Sequence, residues 1–354
     1  MKPQNIQFAE SSQKLRFHQL LTRDQFREAV FARDKNTCLV CPNHAQDAHH
    51  IYERRLWIDN GYYLANGVSL CGVHHLEAES TLLSCETLRE LANITDYPLP
   101  EHLYHNQIYD KWANPILPNE MRLKGELFEE LSVQKILQPV IHLFTDRVKY
   151  PRTFHFPWSN PSKDDRILKD LNSFQNQEIV ATVKMDGECT TMYSDYIHAR
   201  STEYNSHPSR SWIKVLHSKI AHEIPKGWRI CGENLYAKHS IKYENLNDYF
   251  QVFSIWNDKN ICLNWDETKE WIELLGLNSV PALYEGIWDE EIIKSLFRET
   301  FEGDLFEGYV VRVRRQFAYK EFRMCVGKMV RPNHVNTNSE HWKHNIITAN
   351  QLKH

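Results

Sequence analysis

The stretch Val183-Lys184-Met185-Asp186-Gly187-Glu188 ends one apolar, β-prone run, residues 178–183, and precedes a second strand-like run, residues 189–193. A lysine at the end of a strand can project into a cleft while its backbone is held on both sides. Its amine becomes a nucleophile when neighbouring cations and partial removal from water lower its pKa. The stretch alone is equally compatible with a structural lysine, so its interpretation depends on the segments downstream.

Five segments of mixed apolar and charged character follow this lysine in order. They are His198-Ala199-Arg200-Ser201, Arg229-Ile230-Cys231-Gly232-Glu233, Tyr249-Phe250-Gln251-Val252-Phe253, Phe306-Glu307-Gly308 and Cys325-Val326-Gly327-Lys328. Most are strand-like runs that end in, or contain, one charged or aromatic residue. The ordered set that begins with the Lys184 stretch resembles motifs I, III, IIIa, IV and V of the covalent nucleotidyltransferase superfamily of ligases and capping enzymes.

The resemblance implies a role for three residues in bond making and breaking. Lys184 would attack the α-phosphorus of ATP, expel pyrophosphate and carry a lysine–AMP bond. Lys328 would neutralise charge that grows on the α-phosphate and help keep Lys184 unprotonated. Glu307 would coordinate the divalent ion, Mg²⁺ or Mn²⁺, that bridges phosphate oxygens.

The same resemblance implies three nucleotide-binding residues. Arg200 would contact the phosphate or ribose of the nucleotide and the 5′-phosphate end of the substrate. Glu233 would accept hydrogen bonds from the ribose hydroxyls, and Phe253 would stack on adenine. Each also has a structural alternative, since Phe253 could be an ordinary core residue.

The branch of the superfamily is indicated by the short segment after Lys328. Residues 332–354 are too few for the OB-fold domain that DNA ligases and capping enzymes carry there. The sequence therefore resembles RNA ligases of the phage RNA ligase 2 and RNA-editing type. This predicts an RNA partner with 5′-phosphate and 3′-hydroxyl ends; DNA or hybrid substrates stay open.

Four residues of the first hundred predict a structural zinc site. Cys38 and Cys41 are separated by two residues, as are Cys71 and His74. Two such turns can point four ligand atoms at one tetrahedral Zn²⁺. The other five cysteines are scattered singly, as is typical of buried thiols.

Residues 33–80 resemble the HNH nuclease family, a small ββα-metal module. The resemblance rests on His49-His50 and on Asn66 placed five residues before Cys71. It would make His50 the general base and His49 and His75 the ligands of a catalytic divalent ion. Asn66 would orient the loop that carries His50. Glu79 stands where the family commonly has histidine, so the module could equally be a zinc-stabilised platform that only binds nucleic acid.

Together these segments predict an α+β protein in which packed antiparallel sheets with flanking helices form a nucleotidyltransferase domain, and a small HNH-like zinc domain precedes it. The predicted boundaries are residues 1–97 for the zinc module, 98–143 for a proline-rich linker with a helical segment at 120–138, and 144–354 for the ligase-like domain. The net charge of −4 gives no global attraction to nucleic acid. No run is long and apolar enough for a signal peptide or a membrane span, which predicts a cytoplasmic protein.

Two other functions remain open from the sequence. The chain could be chiefly an HNH endonuclease whose second domain senses nucleotide or targets the substrate. It could also be a non-catalytic nucleic-acid-binding protein. A complete set of nucleotidyltransferase motifs favours the ligase, which in one chain with a nuclease would serve repair or processing of broken RNA. Protein partners are not indicated by any segment.

Overall fold

The structure is a computed structural model that describes residues 18–159, 165–202, 207–331 and 347–353. It divides into two compact units, Met1–Asp146 and Arg147–His354. Most of the segment after Lys328 that indicated the ligase branch lies outside the described residues. Within these four ranges, no helix has the length and apolarity needed to span a bilayer.

Eight helices are described across the two units. They are α1 (Arg23–Arg33), α2 (Gly72–Glu79), α3 (Cys85–Leu91), α4 (Leu131–Ile136), α5 (Ser211–Ile220), α6 (Trp265–Leu274), α7 (Glu290–Ser295) and α8 (Phe322–Cys325).

The first unit contains four short strands, β1 (Asp47–His50), β2 (Gly67–Leu70), β3 (Arg122–Leu123) and β4 (Phe144–Thr145). β1 and β2 are antiparallel, with His50 opposite Gly67. α2 begins directly after β2, which gives the order strand, strand, helix expected for residues 33–80. Phe26 and Val30 of α1 are buried with Leu64 beside this hairpin.

Residues 98–143 pack into the first unit, whereas the sequence predicted a linker and a helix over 120–138. Tyr109 is buried in the core that also holds Cys38 and Cys71. The helix is confined to α4, and residues 122–123 form β3 instead. The reason is tertiary, because the Arg122 guanidinium is buried against Thr81 and Asp110, and these contacts outweigh local helix propensity.

The second unit is built from two sheets. Its strands are β5 (Phe154–His155), β6 (Glu178–Val183), β7 (Glu188–Met192), β8 (Ile197–Ala199), β9 (Arg229–Asn234), β10 (Phe250–Trp256), β11 (Ile261–Cys262), β12 (Asn278–Ser279), β13 (Ala282–Ile287), β14 (Thr300–Phe301), β15 (Asp304–Leu305), β16 (Gly308–Val313), β17 (Phe317–Ala318) and β18 (Val326–Val330). One sheet has the order β13-β6-β16-β18-β5, and the other has the order β17-β11-β10-β9-β7-β8 with β12 on β10. Most pairs are antiparallel, as the α+β prediction required; β14 and β15 pair only with each other.

A shared core joins the two sheets. It contains Val180, Val183 and Val311 from the first sheet and Cys231 and Trp256 from the second. On its other face, the second sheet packs Ile230 and Val252 against α5 and α6. Between β6 and β7, the chain passes from the first sheet to the second through the four residues 184–187.

Gly308 is expected to be the most constrained glycine of this core, because a Cβ there would lie 2.0 Å from the Met329 carbonyl oxygen and its φ is +150°. Gly308→Ala should lower the free energy of unfolding by about 3 kcal/mol, since β16 and β18 must separate to relieve the clash. Urea denaturation measures this change.

Gly276→Ala provides the matched control. Gly276 also has a positive φ, +62°, but nothing lies within 4 Å of its added Cβ. The substitution should therefore lower the free energy of unfolding by only about 1 kcal/mol. Equal losses in the two variants would contradict the role assigned to the close approach of β16 and β18.

Candidate active site

Lys184 lies where β6 ends, and its partly buried side chain lies beside a carboxylate. Its backbone amide donates to the Gly308 carbonyl at 2.9 Å, and its Nζ lies 2.5 Å from Glu307 Oε1. Burial alone would lower the pKa of Lys184, but the carboxylates of Glu307 and Glu233 outweigh it and raise the pKa. The sequence led us to expect a lowered pKa, so in this ligand-free arrangement Lys184 is held as an ammonium ion.

Lys328 is the second lysine of the site and shows the opposite effect. It lies on β18 opposite Val310 of β16. Burial, followed by the charge of Lys184, lowers its pKa to about 8. Of the two lysines that the sequence placed in the site, Lys328 is therefore the one that loses its proton more easily.

A cavity of about 230 Å³ opens beside Lys184. Its lining includes five of the six residues that the resemblance selected, namely Lys184, Arg200, Glu233, Phe253 and Lys328. Glu307, the sixth, reaches the site through its contact with Lys184. Residues more than one hundred positions apart thus meet around one cavity.

Phe253 forms part of the cavity wall at an irregularity in β10. The register of β10 against β9 shifts between Val252 and Ser254, and such bulges re-aim side chains. Tyr150 meets the Phe253 ring edge-on at 5.0 Å between centroids and also lines the cavity. Tyr150 carried no sequence signal beyond the aromatic character of its segment.

Glu233 lies on β9 opposite Cys189 of β7. Its Oε1 accepts a hydrogen bond from the Gly187 amide at 3.1 Å. Burial raises its pKa to about 8; Lys184 opposes this rise and Glu307 adds to it. At neutral pH the carboxyl is therefore largely protonated.

Asp186 does not face the cavity as a free carboxylate. Its Oδ2 accepts hydrogen bonds from the Ser240 amide at 2.8 Å and the Ile241 amide at 2.7 Å. Its own amide donates to the Tyr243 hydroxyl at 2.9 Å. Sequence reasoning did not identify Tyr243, because nothing in its local sequence distinguishes it from other tyrosines.

A second, shallower concavity adjoins the cavity. It is lined by Lys149, Arg152, Arg200 and Ser201, and Arg152 and Arg200 line both spaces. The three cationic side chains are exposed. This surface attracts anions, as phosphate-binding surfaces do.

In the first unit, the structure brings Cys38, Cys41, Cys71 and His74 together, with all four ligand atoms within 4.8 Å of one another. The Sγ atoms of Cys41 and Cys71 are 3.8 Å apart, and His74 Nδ1 lies 3.4 Å and 3.2 Å from Cys38 and Cys71 Sγ. Tetrahedral zinc with bonds of about 2.0–2.3 Å separates its ligands by about 3.3–3.8 Å. The His74 backbone amide is the main cause that lowers the Cys71 pKa to about 6, which favours the thiolate that zinc needs.

His49, His75 and Glu79 form a second cluster that could hold a metal ion. Glu79 Oε1 lies 3.4 Å from His49 Nδ1 and 3.5 Å from His75 Nε2. Burial, followed by Lys111, lowers the pKa of His49 to about 3, so its ring is neutral and can act as a ligand. Lys111 Nζ also lies 3.3 Å from Glu79 Oε1; the sequence missed this lysine because its segment was interpreted as a linker.

His50 is enclosed beside this cluster. Its ring stacks on Phe26 at 4.6 Å and meets Tyr62 at 5.2 Å. Burial, followed by Lys111, lowers its pKa to about 4. Asn66 lies behind it and holds the main chain of Tyr52 through both its amide oxygen and its amide nitrogen.

Comparison with protein families gives one match. The model of the RNA ligase family matches residues 177–330, less than half of the chain. This segment contains all six residues that meet at the cavity. No protein with a curated description matches the chain.

Solved structures of Naegleria gruberi RNA ligase give only weak superpositions. The structure with PPi has 17% identity and a TM-score of 0.38, over 75% of this chain and 70% of that chain. A mutant with AMP and Mn has 16% identity and a TM-score of 0.39, over 86% and 80%. Another mutant, with ATP and Mn, has 18% identity and a TM-score of 0.36; the match covers 50% of this chain and only 58% of that one. TM-scores this low do not bear on function.

The raised pKa of Glu233 predicts a specific pH dependence. Its stabilising contribution is fully present below the ordinary carboxyl pKa of 4.5 and is lost as pH rises through about 8. Glu233→Gln, which resembles the protonated form, should therefore gain Tm relative to wild type across this range, by roughly 3 °C or more.

The measurement is thermal unfolding of both ligand-free proteins over that pH range, because taking their difference removes the titration of all other groups. Glu270→Gln is the control for replacing a carboxylate with an amide, because Glu270 is exposed. A Tm difference between Glu233→Gln and wild type that stays constant with pH would contradict burial as the cause.

Proposed function

We propose that the chain is an ATP-dependent RNA ligase that joins 5′-phosphate and 3′-hydroxyl ends through a lysine–AMP intermediate on Lys184. The observation that carries this proposal is the contact between Lys184 and the buried Glu307, beside a cavity that Arg200, Glu233 and Lys328 line. The match of residues 177–330 to the RNA ligase family supports it.

In the first step, Lys184 Nζ would form a bond to the α-phosphorus of ATP as the bond to the bridging oxygen breaks and pyrophosphate leaves. The Lys184 ammonium must lose one proton to water before it attacks, and it loses a second as the bond to phosphorus forms; the contact with Glu307 opposes the first loss. Glu307 would release Lys184 on binding a divalent cation, Mg²⁺ or Mn²⁺, which also shields the phosphate oxygens. Lys328, which lines the same cavity, would neutralise charge on the α-phosphate.

In the later steps, an oxygen of the RNA 5′-phosphate would attack the same phosphorus, and the bond to Lys184 would break. The RNA 3′-hydroxyl would then attack the 5′-phosphate, and AMP would leave. The concavity lined by Lys149, Arg152 and Arg200 supports the binding of the 5′-phosphate end, because it adjoins the cavity and is cationic. The neutral carboxyl of Glu233 and the ring of Phe253 would bind ribose and adenine.

For the first unit we propose one structural Zn²⁺ on Cys38, Cys41, Cys71 and His74, supported by their ligand spacing. The proposed compartment is the cytoplasm, where thiols stay reduced. We also propose that this HNH-like module binds nucleic acid and does not cut it. The enclosure of His50 between Phe26 and Tyr62 supports this, since a general base must reach the water that it activates.

A metal-dependent endonuclease is the second candidate function. The cluster of His49, His75 and Glu79 favours it, because the buried Nε2 of His49 has no hydrogen-bond partner among the described residues. Glu79 is shared with Lys111, whose positive charge would weaken the binding of a divalent ion there.

Incubation with α-labelled ATP and Mg²⁺ tests the ligase. Wild type should carry label after denaturation, and so should the control Lys169→Ala, because Lys169 is an exposed lysine of the same unit. Lys184→Ala should carry no label, a loss of about 10³-fold or more, because the nucleophile is gone. The same proteins are assayed for cleavage of RNA and DNA. Absence of label from wild type freed of bound AMP, with cleavage that persists in Lys184→Ala, would favour the endonuclease.

Zinc content tests the first unit. Wild type should hold one equivalent of zinc, and Cys71→Ser should lose it. The Tm of the first unit should fall by about 10 °C or more in Cys71→Ser, because zinc binding supplies folding free energy. Cys85→Ser is the control, since Cys85 is a buried cysteine that is not one of the four proposed zinc ligands. Elemental analysis showing zinc retained in Cys71→Ser would overturn the assignment.

A further inference from the structure

Residues 347–353 form a strap that runs along the loop of residues 235–249, which joins β9 to β10. The Lys238 amide donates to the Thr348 carbonyl at 2.8 Å, and the Gln351 amide donates to the Tyr243 carbonyl at 2.9 Å. Isolated bridges pair Ala237 with Ala349 and Leu246 with Leu352. The strap therefore holds both arms of the loop.

Asn350 makes the most contacts of the strap, and only 2% of its surface is exposed. Its Oδ1 accepts a hydrogen bond from the Tyr243 amide at 2.9 Å, and its Nδ2 donates to the Leu235 carbonyl at 2.7 Å. Its carbonyl accepts from the Tyr249 hydroxyl at 3.0 Å. One buried side chain thus joins the beginning of the loop to its middle.

The middle of the loop holds the segment that carries the lysine nucleophile. The Tyr243 hydroxyl accepts a hydrogen bond from the Asp186 amide, and Ser240 and Ile241 donate to the Asp186 carboxylate. Asp186 follows Lys184 by two residues. Two hydrogen bonds and one tyrosine side chain therefore connect Asn350 to the backbone beside the nucleophile.

We propose that Asn350 is a positioning residue for lysine adenylylation, acting through Tyr243 on the backbone of residues 184–187. The proposal rests on the ligase function proposed above. Attack on phosphorus requires the amine to be aligned within about 3–3.5 Å of its target, and residues 184–187 lie between β6 and β7, outside the strands of either sheet. The strap completes the site although it lies more than 150 positions from Lys184.

The test compares two reactions of the full chain. Asn350→Ala should lower the rate of lysine–AMP formation at saturating ATP by about tenfold, equivalent to roughly 1.4 kcal/mol of barrier, with little change in KM for ATP. Sealing of nicked RNA that already carries a 5′-AMP end should change far less, because Lys184 is not the nucleophile in that reaction. Tyr243→Phe, which removes only the hydroxyl, should show the same difference between reactions.

Gln351→Ala is the matched control, because Gln351 is exposed and its hydrogen bonds to the loop use only backbone atoms; it should leave both rates unchanged. Amide hydrogen exchange at Asp186 should be faster in Asn350→Ala and in Tyr243→Phe, a measurement that needs no activity. Equal losses of rate in both reactions, or unchanged amide exchange at Asp186, would contradict the proposal and show that the strap only stabilises the fold. Wild type that forms no lysine–AMP would overturn the proposed function, while the exchange experiment would still test the coupling.

Discussion

The second unit depends on a crossing of the chain between its two sheets that takes only residues 184–187. β6 belongs to one sheet and β7 to the other, so these residues cannot join the ladders of either sheet in full. Gly187 lies so close to β9 that a Cβ would be 2.5 Å from the Asn234 carbonyl oxygen. Asp186 is turned toward Ser240 and Ile241. Lys184 is left beside the cavity, which residues of both sheets line.

Electrostatics set the resting state of this cavity. Lys184 and Glu233 are partly buried and Glu307 is buried, so their charges interact more strongly than they would at the surface. Glu307 stabilises the charge on Lys184, Glu233 avoids charge by holding a proton, and the burial of Lys328 lowers its pKa. A bound nucleotide and cation would add charge of both signs, and so they would redistribute these protons.

The sequence predicted those parts of the protein that depend on the local pattern of apolar, polar and ligand residues. Runs of β-branched and aromatic residues identified β6, β9, β10, β16 and β18, since residues buried on both faces of a sheet leave a clear apolar signature. Ligand spacing identified the cysteine and histidine quartet. Motif order selected the six residues that the structure gathers at the cavity, although it could not give their protonation, because the raised pKa of Lys184 arises from neighbours far away in sequence.

The remaining features depend on tertiary contacts that leave no local trace. Prolines at 98 to 118 are typical of a linker, yet Tyr109 and Arg122 are buried in the first unit, and its core cannot be inferred from their neighbours in sequence. Lys111 and Asn350 are polar residues in irregular segments, a setting that usually indicates exposure. Their burial follows only from the groups that surround them.

Location of the nucleotide on the chain tests this account most directly. After reaction with ATP and Mg²⁺, the protein is digested under conditions that preserve a bond between phosphorus and nitrogen, and the peptides are analysed by mass spectrometry. The account predicts one AMP adduct, on the peptide that spans residues 183–188 and assigned by fragmentation to Lys184. An adduct on Lys328 or on another residue, with Lys184 unmodified, would contradict it.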